Sequence, residues 1–266
     1  MQPLKSFNSN LGTAILITGG AGVGKTVLAM RLWPKSYVFV ADLNFKSGKD
    51  YLEKICKSSN IVGFDTATPD EDGKPVPPAL RYPRMMNKIS AAIESKDVDV
   101  IILDSATFIE DIIKARICNA TSDANVRLEG FKQWGDLVIT WKSIILQLRQ
   151  SGKKLIMIAH ENKERDESDG IYKYQIAVDG SIREKFPVLF SDVWRCEVNE
   201  EGLTHKHTWN VRMLGNVRQE HLKRSSEFST LPAVLTQDAL VATISPEPPT
   251  VVPVQQPQQP TIEKTN

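Results

Sequence analysis

Residues 14–33 read AILITGGAGVGKTVLAMRLW: an apolar run, a cluster of four glycines, then a helical pattern stopped by Pro34. Glycine is the costliest ordinary residue in a helix, so four of them at a helix mouth require a reason. Gly19, Gly20, Ala21, Gly22, Val23, Gly24, Lys25 and Thr26 fit the pattern G-x-x-x-x-G-K-[ST]. Glycines there let the backbone curl until successive N–H groups point inward, which makes an anion nest at the positive end of a helix. The pattern carries this meaning only between a buried strand and a helix. Both flanks comply, with a short apolar run over Ala14–Thr18 and helical spacing from Lys25 to about Trp33. The eight residues are expected to cradle the phosphates of ATP. Lys25 would reach the β- and γ-phosphates, and the Thr26 hydroxyl would hold Mg²⁺.

Such a loop needs a carboxylate on a neighbouring strand to complete the metal site. Residues 98–107, VDVIILDSAT, supply an apolar strand ending in Asp104, which is expected to hold Mg²⁺ directly or through water. Hydrolysis also needs a group that orients the attacking water. Asp42 closes the run YVFVAD and His160 closes KLIMIAH, and strand ends are where such folds place their chemistry. A histidine at that position would touch the γ-phosphate and report its presence to the loop that follows. Glu110 and Asp111, early in the next helical segment, read as solvated or capping residues.

Around this centre, strand and helix patterns alternate. Tyr37–Ala41, Val98–Leu103 and Lys154–Ala159 are near-continuous apolar runs, and Arg84–Lys96, Phe108–Asn119 and Phe131–Gln150 carry helical spacing. A short helix is expected over Asp50–Ser58, and a long loop over Asn60–Pro83, where five prolines fall. Buried strands separated by helices imply an α/β fold with a mostly parallel sheet covered on both faces. Beyond His160, a charged loop over Glu161–Gly170 leads to strands at Ile171–Ala177, Val193–Val198 and Thr204–Met213. These are expected to extend the sheet antiparallel at its edge. From Ser245 the chain turns to SPEPPTVVPVQQPQQPTIEKTN, with six prolines and four glutamines. That composition cannot bury enough apolar surface to fold, so the expected organisation is one domain over 1–244 and a disordered tail over 245–266.

The totals set outer bounds. A chain of 266 residues, 41% hydrophobic and 24% charged, can bury one sizeable core. A net charge of +1 gives no bulk attraction to nucleic acid or membrane, so any anionic partner must meet a local patch. Cys56, Cys118 and Cys196 are few and scattered, which suits reduced, buried thiols. There is neither a signal-peptide pattern at the N-terminus nor an apolar stretch of about 18 residues. The expectation is a cytoplasmic protein with no membrane segment.

The loop GGAGVGKT, the strand IILDSAT, the segment WGDLVITWKSIILQLRQSGKKLIMIAHENKE (134–164) and the segment GSIREKFPVLFSDVWRCEV (180–198) together resemble a known family. They are similar to phage-encoded, core-only RecA-like P-loop ATPases, among them the Sak-type single-strand annealing recombinases. The resemblance implies ATP and Mg²⁺ as ligands and single-stranded DNA as substrate, in recombination, annealing or repair. It also implies assembly into a homo-oligomeric ring or filament, work alongside a single-strand-binding protein, and the cytoplasm of a phage's host. Many relatives carry a glutamate two residues past the aspartate of the second strand. Asn44 stands there in this chain, which implies slow or DNA-dependent turnover.

For nucleic acid, the loop after His160 holds more acids than bases, so flanking Lys173, Arg183 and Lys185 are the better contacts. A denser patch lies over His205–Arg224, with Lys206, Arg212, Arg218 and Arg224 as cations and Trp209 as a possible stacking face. Trp209 in the core is the plainer alternative. Arg212, Arg218 or Arg224 are equally candidates to reach a neighbour's nucleotide. His205 and His207 lack a third partner at metal-ligand spacing, so no further metal is expected. Trp134 and Trp141, seven apart on a helical pattern, read as core.

Overall fold

β1, Ala14–Thr18, is buried at every position and pairs on both sides with parallel strands. This is why its sequence is apolar throughout rather than alternating. It belongs to a computed structural model that describes residues 11–42, 61–69, 72–124, 126–165, 167, 170–201, 206–216 and 218–245. The expected helix at 50–58, Asn44, His205 and the tail from residue 246 lie outside the described residues.

After the glycine loop come α1 (Lys25–Leu32), β2 (Ser36–Val40), β3 (Ile61–Thr66) and α2 (Pro78–Glu94). β4 (Val100–Asp104), α3 (Ala106–Ile117), α4 (Phe131–Gln150) and β5 (Lys154–Ile158) complete the first half. Then follow β6 (Glu161–Arg165), β7 (Tyr172–Ile176), α5 (Ile182–Lys185), β8 (Asp192–Glu201), β9 (Lys206–Arg212), β10 (Val234–Thr236) and α6 (Gln237–Ile244). Eight strands form one sheet in the order β10-β9-β8-β1-β5-β4-β2-β3. β8 through β3 in that order are mutually parallel, and β9 and β10 run antiparallel at the edge.

Alternate residues of each central strand feed two cores. Leu16, Phe39, Leu103 and Met157 face α2, α3 and α4, whereas Ile17, Val40, Ile102 and Ile158 face α1 and α6. The molecule is therefore a three-layer α/β fold with a mostly parallel sheet. Trp141 is fully enclosed in the first core and Trp134 packs against that core. Among the described residues, no helix is long and apolar enough to cross a membrane.

Several sequence expectations are corrected. The proline-rich stretch 60–83 is not one loop. It holds β3 and the first turns of α2, which tolerates Pro78 at its start because the first N–H of a helix has no partner to lose. β3 was hidden because it is the half-buried edge of the sheet and lacks a continuous apolar run. Glu161–Arg165 is a strand, and it pairs with β7 in a separate two-stranded hairpin rather than in the main sheet. β8 is not an antiparallel addition but the parallel neighbour of β1. Glu110 is buried, not solvated. It accepts hydrogen bonds from Trp141 Nε1 at 3.3 Å and the Asp179 N–H at 2.8 Å, and pairs with Lys114 at 2.9 Å.

Candidate nucleotide-binding site

The register aligns Ile17 with Ile158, Ile158 with Asp104, and Asp104 with Val40, so four strands end along one line. Thr18, His160, Asp104 and Asp42 lie at or just beyond that line. The glycine loop curls over it from β1 into α1. Gly19 has φ +139°, and a Cβ there would stand 2.5 Å from the Cys196 carbonyl oxygen, so no other residue fits. Gly24, the residue before α1, has φ +83°, and no side chain caps the helix. The first amides of α1 are thus left to whatever the loop holds.

Lys25 is buried and its ammonium folds back on the loop, donating to the carbonyls of Gly19 at 3.0 Å and Gly20 at 2.6 Å. Burial lowers its pKa, and Asp104 opposes that fall. The Thr26 hydroxyl donates to Asp104 Oδ2 at 2.6 Å. Burial pushes the Asp104 carboxyl above its ordinary range, against the Thr26 hydrogen bond and the Lys25 charge. Asp42 is close enough that its charge raises the pKa of both Asp104 and His160. His160 itself titrates below the usual histidine range, first because of burial and then because of Lys25. Its ring stands edge-on to Phe108, with centroids 6.1 Å apart. The four residues singled out for chemistry are therefore gathered at one edge.

The residues fit a polyphosphate with a divalent cation. Gly20 and Gly22 have nothing within 4 Å of a Cβ position, so the mouth of the loop is open. The Thr26 hydroxyl and Asp104 carboxylate are an oxygen pair of the kind Mg²⁺ takes. Beside them, the buried Ser105 Oγ has no hydrogen-bond partner within the described structure.

Two supports carried no sequence signal. Gln237, at the start of α6, donates from Nε2 to the Val23 carbonyl at 2.9 Å and so props the loop from a distant part of the chain. Glu161, read from sequence as one of several loop acids, has a side chain only 1% exposed. It accepts from Thr18 Oγ1 at 2.7 Å and from Arg195 Nε at 2.8 Å. Cys196 lies beneath the loop, and burial pushes its thiol up to about 12, so it stays protonated.

The residues proposed for nucleic acid separate into groups. Lys173, Arg183 and Arg218 line one groove of about 800 Å³ between the β6–β7 hairpin, α5 and the 218–221 turn. Lys185 is exposed on α5. Arg183 is engaged by the Val178 carbonyl, Glu164 and Gln175. Arg212 pairs with Glu197 at 3.0 Å, and Arg224 donates to the Leu231 carbonyl. Lys206 opens β9, and Trp209 stands beside Gly24. The stretch 205–224 is thus not one continuous patch.

A loop of this construction on a mostly parallel, helix-covered sheet defines a P-loop nucleotide-binding fold. The chain belongs to an AAA domain family, AAA_24, whose profile matches residues 11–226. Membership implies nucleotide binding. No curated protein matches the chain significantly. Among solved structures, the chain is similar to the KaiC-like protein PH0186 from the hyperthermophilic archaeon Pyrococcus horikoshii OT3, at 15% identity and a TM-score of 0.41, covering 80% of this chain and 83% of that one. It is also similar to the flagellar accessory protein FlaH from Methanocaldococcus jannaschii, at 16% identity and a TM-score of 0.43, covering 85% and 84%. Likeness of this degree carries nothing about ligand or partner.

Proposed function

We propose that this protein is a Mg²⁺-dependent ATPase of the phage-encoded, Sak-type kind, acting on single-stranded DNA in recombination, annealing or repair. The observation that carries the ATPase reading is the juxtaposition of Lys25 inside the glycine loop with the Thr26–Asp104 pair at 2.6 Å. Bound Mg²⁺-ATP supplies the phosphoryl group and the metal charge that draws electrons from it. The loop amides and Lys25 would hold the phosphates, while Thr26 and Asp104 would hold the metal. Asp42 orients water and accepts its proton. His160, uncharged near neutral pH because its pKa is lowered, offers a hydrogen bond at the terminal phosphate without adding charge. Its carbonyl accepts the Ala177 N–H at 2.8 Å, which ties this position to the end of β7.

The DNA reading is supported by the groove. Lys173, Arg183 and Arg218 converge there, and the hairpin that walls it begins directly after His160. Of Arg212, Arg218 and Arg224, Arg218 is the exposed one, and so the candidate to reach a neighbouring copy in a ring or filament. The test is phosphate release and ATP affinity, with and without single-stranded DNA, in the native chain and Lys25→Ala. ATP binding is expected to be lost in the variant, and unchanged affinity would sink the assigned site. Asn44 favours a second reading, a non-catalytic scaffold that assembles on ATP; assembly without phosphate release under any condition would establish it. DNA indifference throughout would leave a P-loop motor of another kind.

A further inference from the structure

Trp209 stands against the phosphate loop, and nothing above gives it a task there. It sits on β9 opposite Val198 of β8, two residues on from the pair Cys196–Val211. Cys196 and Val211 both face the α1–α6 layer. Side chains alternate along a strand, so Trp209 shares that face, whereas Asn210 and Arg212 point to the other. Its Cδ1 lies 3.4 Å from the position a Cβ on Gly24 would take, and the Gln237 amide is 2.9 Å from the same point. Trp209 and Gln237 therefore wall one side of the loop where it enters α1. Gln237 is buried and tied to the Val23 carbonyl, so that wall is fixed. Trp209 remains 46% exposed, while Trp141 and Trp194 are wholly enclosed.

We propose that Trp209 is the stacking platform for the base of a purine nucleotide whose phosphates the loop holds. This rests on the nucleotide reading of the loop. A nucleotide anchored by its phosphates must project its nucleoside beyond the nest, and an indole beside Gly24 offers a π-face at that border. Stacking tolerates any base but rewards the larger purine surface. The placement also removes Trp209 from the DNA groove, whose Arg218 and Lys173 belong to the other side of the sheet's edge.

The experiment measures Mg²⁺-dependent binding of ATP, ADP and inorganic tripolyphosphate to the native chain, Trp209→Ala and Trp209→Phe, by calorimetry. Trp209→Ala is expected to weaken ATP and ADP by about ten- to a hundredfold and to leave tripolyphosphate as in the native chain. Trp209→Phe, which keeps an aromatic face, should stay within about threefold of native. Tryptophan emission of the native chain should change with ATP but not with tripolyphosphate, and the change should vanish in Trp209→Phe. That last measurement stands even if the alanine variant fails to fold. Undiminished ATP affinity in Trp209→Ala, or equal loss of ATP and tripolyphosphate, would overturn the proposal. So would a loss of single-stranded DNA affinity with ATP affinity intact. A native chain that binds neither ATP nor tripolyphosphate would instead bring down the reading of the loop itself.

Discussion

Glu161 joins the loop strand to the hairpin. Its carboxylate is held by Thr18 at the end of β1 and by Arg195 on β8, whose guanidinium also lies 4.2 Å over the Tyr174 ring of β7. His221 Nε2 is 3.5 Å away. Burial alone would raise the pKa of this carboxyl, but His221 and Arg195 outweigh it and hold it below the ordinary range. A carboxylate whose folded pKa is depressed stabilises the fold above its unfolded pKa, about 4.5, and that contribution fades as pH falls through the lower folded value. Glu161→Gln should therefore cost about 2 kcal/mol at pH 7, because it removes one charge-assisted partner of Arg195 and leaves Glu197, at 2.8 Å, as the other. Urea denaturation of both proteins at pH 7 and at pH 4 checks this, and the gap should narrow at the lower pH. An equal gap at both would trace the loss to packing. His160, one residue earlier, shifts in the same direction, although for it the fold favours the neutral rather than the charged form. Its lowered pKa makes protonation oppose folding, so His160→Gln should flatten the acid-side loss of stability just below the ordinary histidine pKa of 6.5 in thermal melts.

At the scale of elements, α6 is the late piece that closes the nucleotide layer. Thr236 caps it by accepting from the Ala239 N–H at 3.2 Å, Leu240 and Val241 bury against α1, and Gln237 reaches the loop. The Arg31–Asp238 pair at 2.9 Å is a surface contact and adds little. Gln237→Ala should lower stability by about 1 kcal/mol, through one lost hydrogen bond at the partly buried Val23 carbonyl. Hydrogen exchange over residues 237–244 should quicken, and protection at native levels would show that the docking does not depend on Gln237. None of this was legible beforehand, since an amide 214 residues from its partner leaves no local pattern. What was legible shares one physical basis. β1, β4 and β5 are buried on both faces and read as unbroken apolar runs, and α4 falls on Phe131–Gln150 as its periodicity foretold. β3 and β6 failed because one is a half-buried edge and the other carries ENKER, whose charges beyond the buried Glu161 a two-stranded hairpin leaves in water. The P-loop itself was the clearest signal, because its lysine and hydroxyl follow glycines that no packing argument alone would put together.

Across the whole molecule, the parallel sheet separates two groups of side chains that the sequence interleaves. Trp209 and Arg212 are three residues apart, yet strand alternation sends one toward the loop and α6 and the other toward Glu197 on the opposite face. Linear clustering of cations therefore does not bring them to one surface, whereas Lys173, Arg183 and Arg218, spread over 46 residues, line one groove. That groove is not uniformly basic, since Glu164, Glu184 and Glu220 also line it, and a net charge of +1 offers no long-range attraction. The proposed binding of single-stranded DNA there would have to come from a few close phosphate contacts, and such contacts have a countable signature. Each phosphate neutralised on a single strand adds about 0.7 to the slope of log affinity against log salt. Lys173→Ala combined with Arg218→Ala should weaken single-stranded DNA binding and lower that slope by about 1.4, read from titrations at several salt concentrations. ATP affinity, held at the loop, is expected to stay at its native value. A fall in affinity with the slope unchanged would mean that the two side chains shape the groove without touching phosphate, and no change in either would place the strand elsewhere on the molecule.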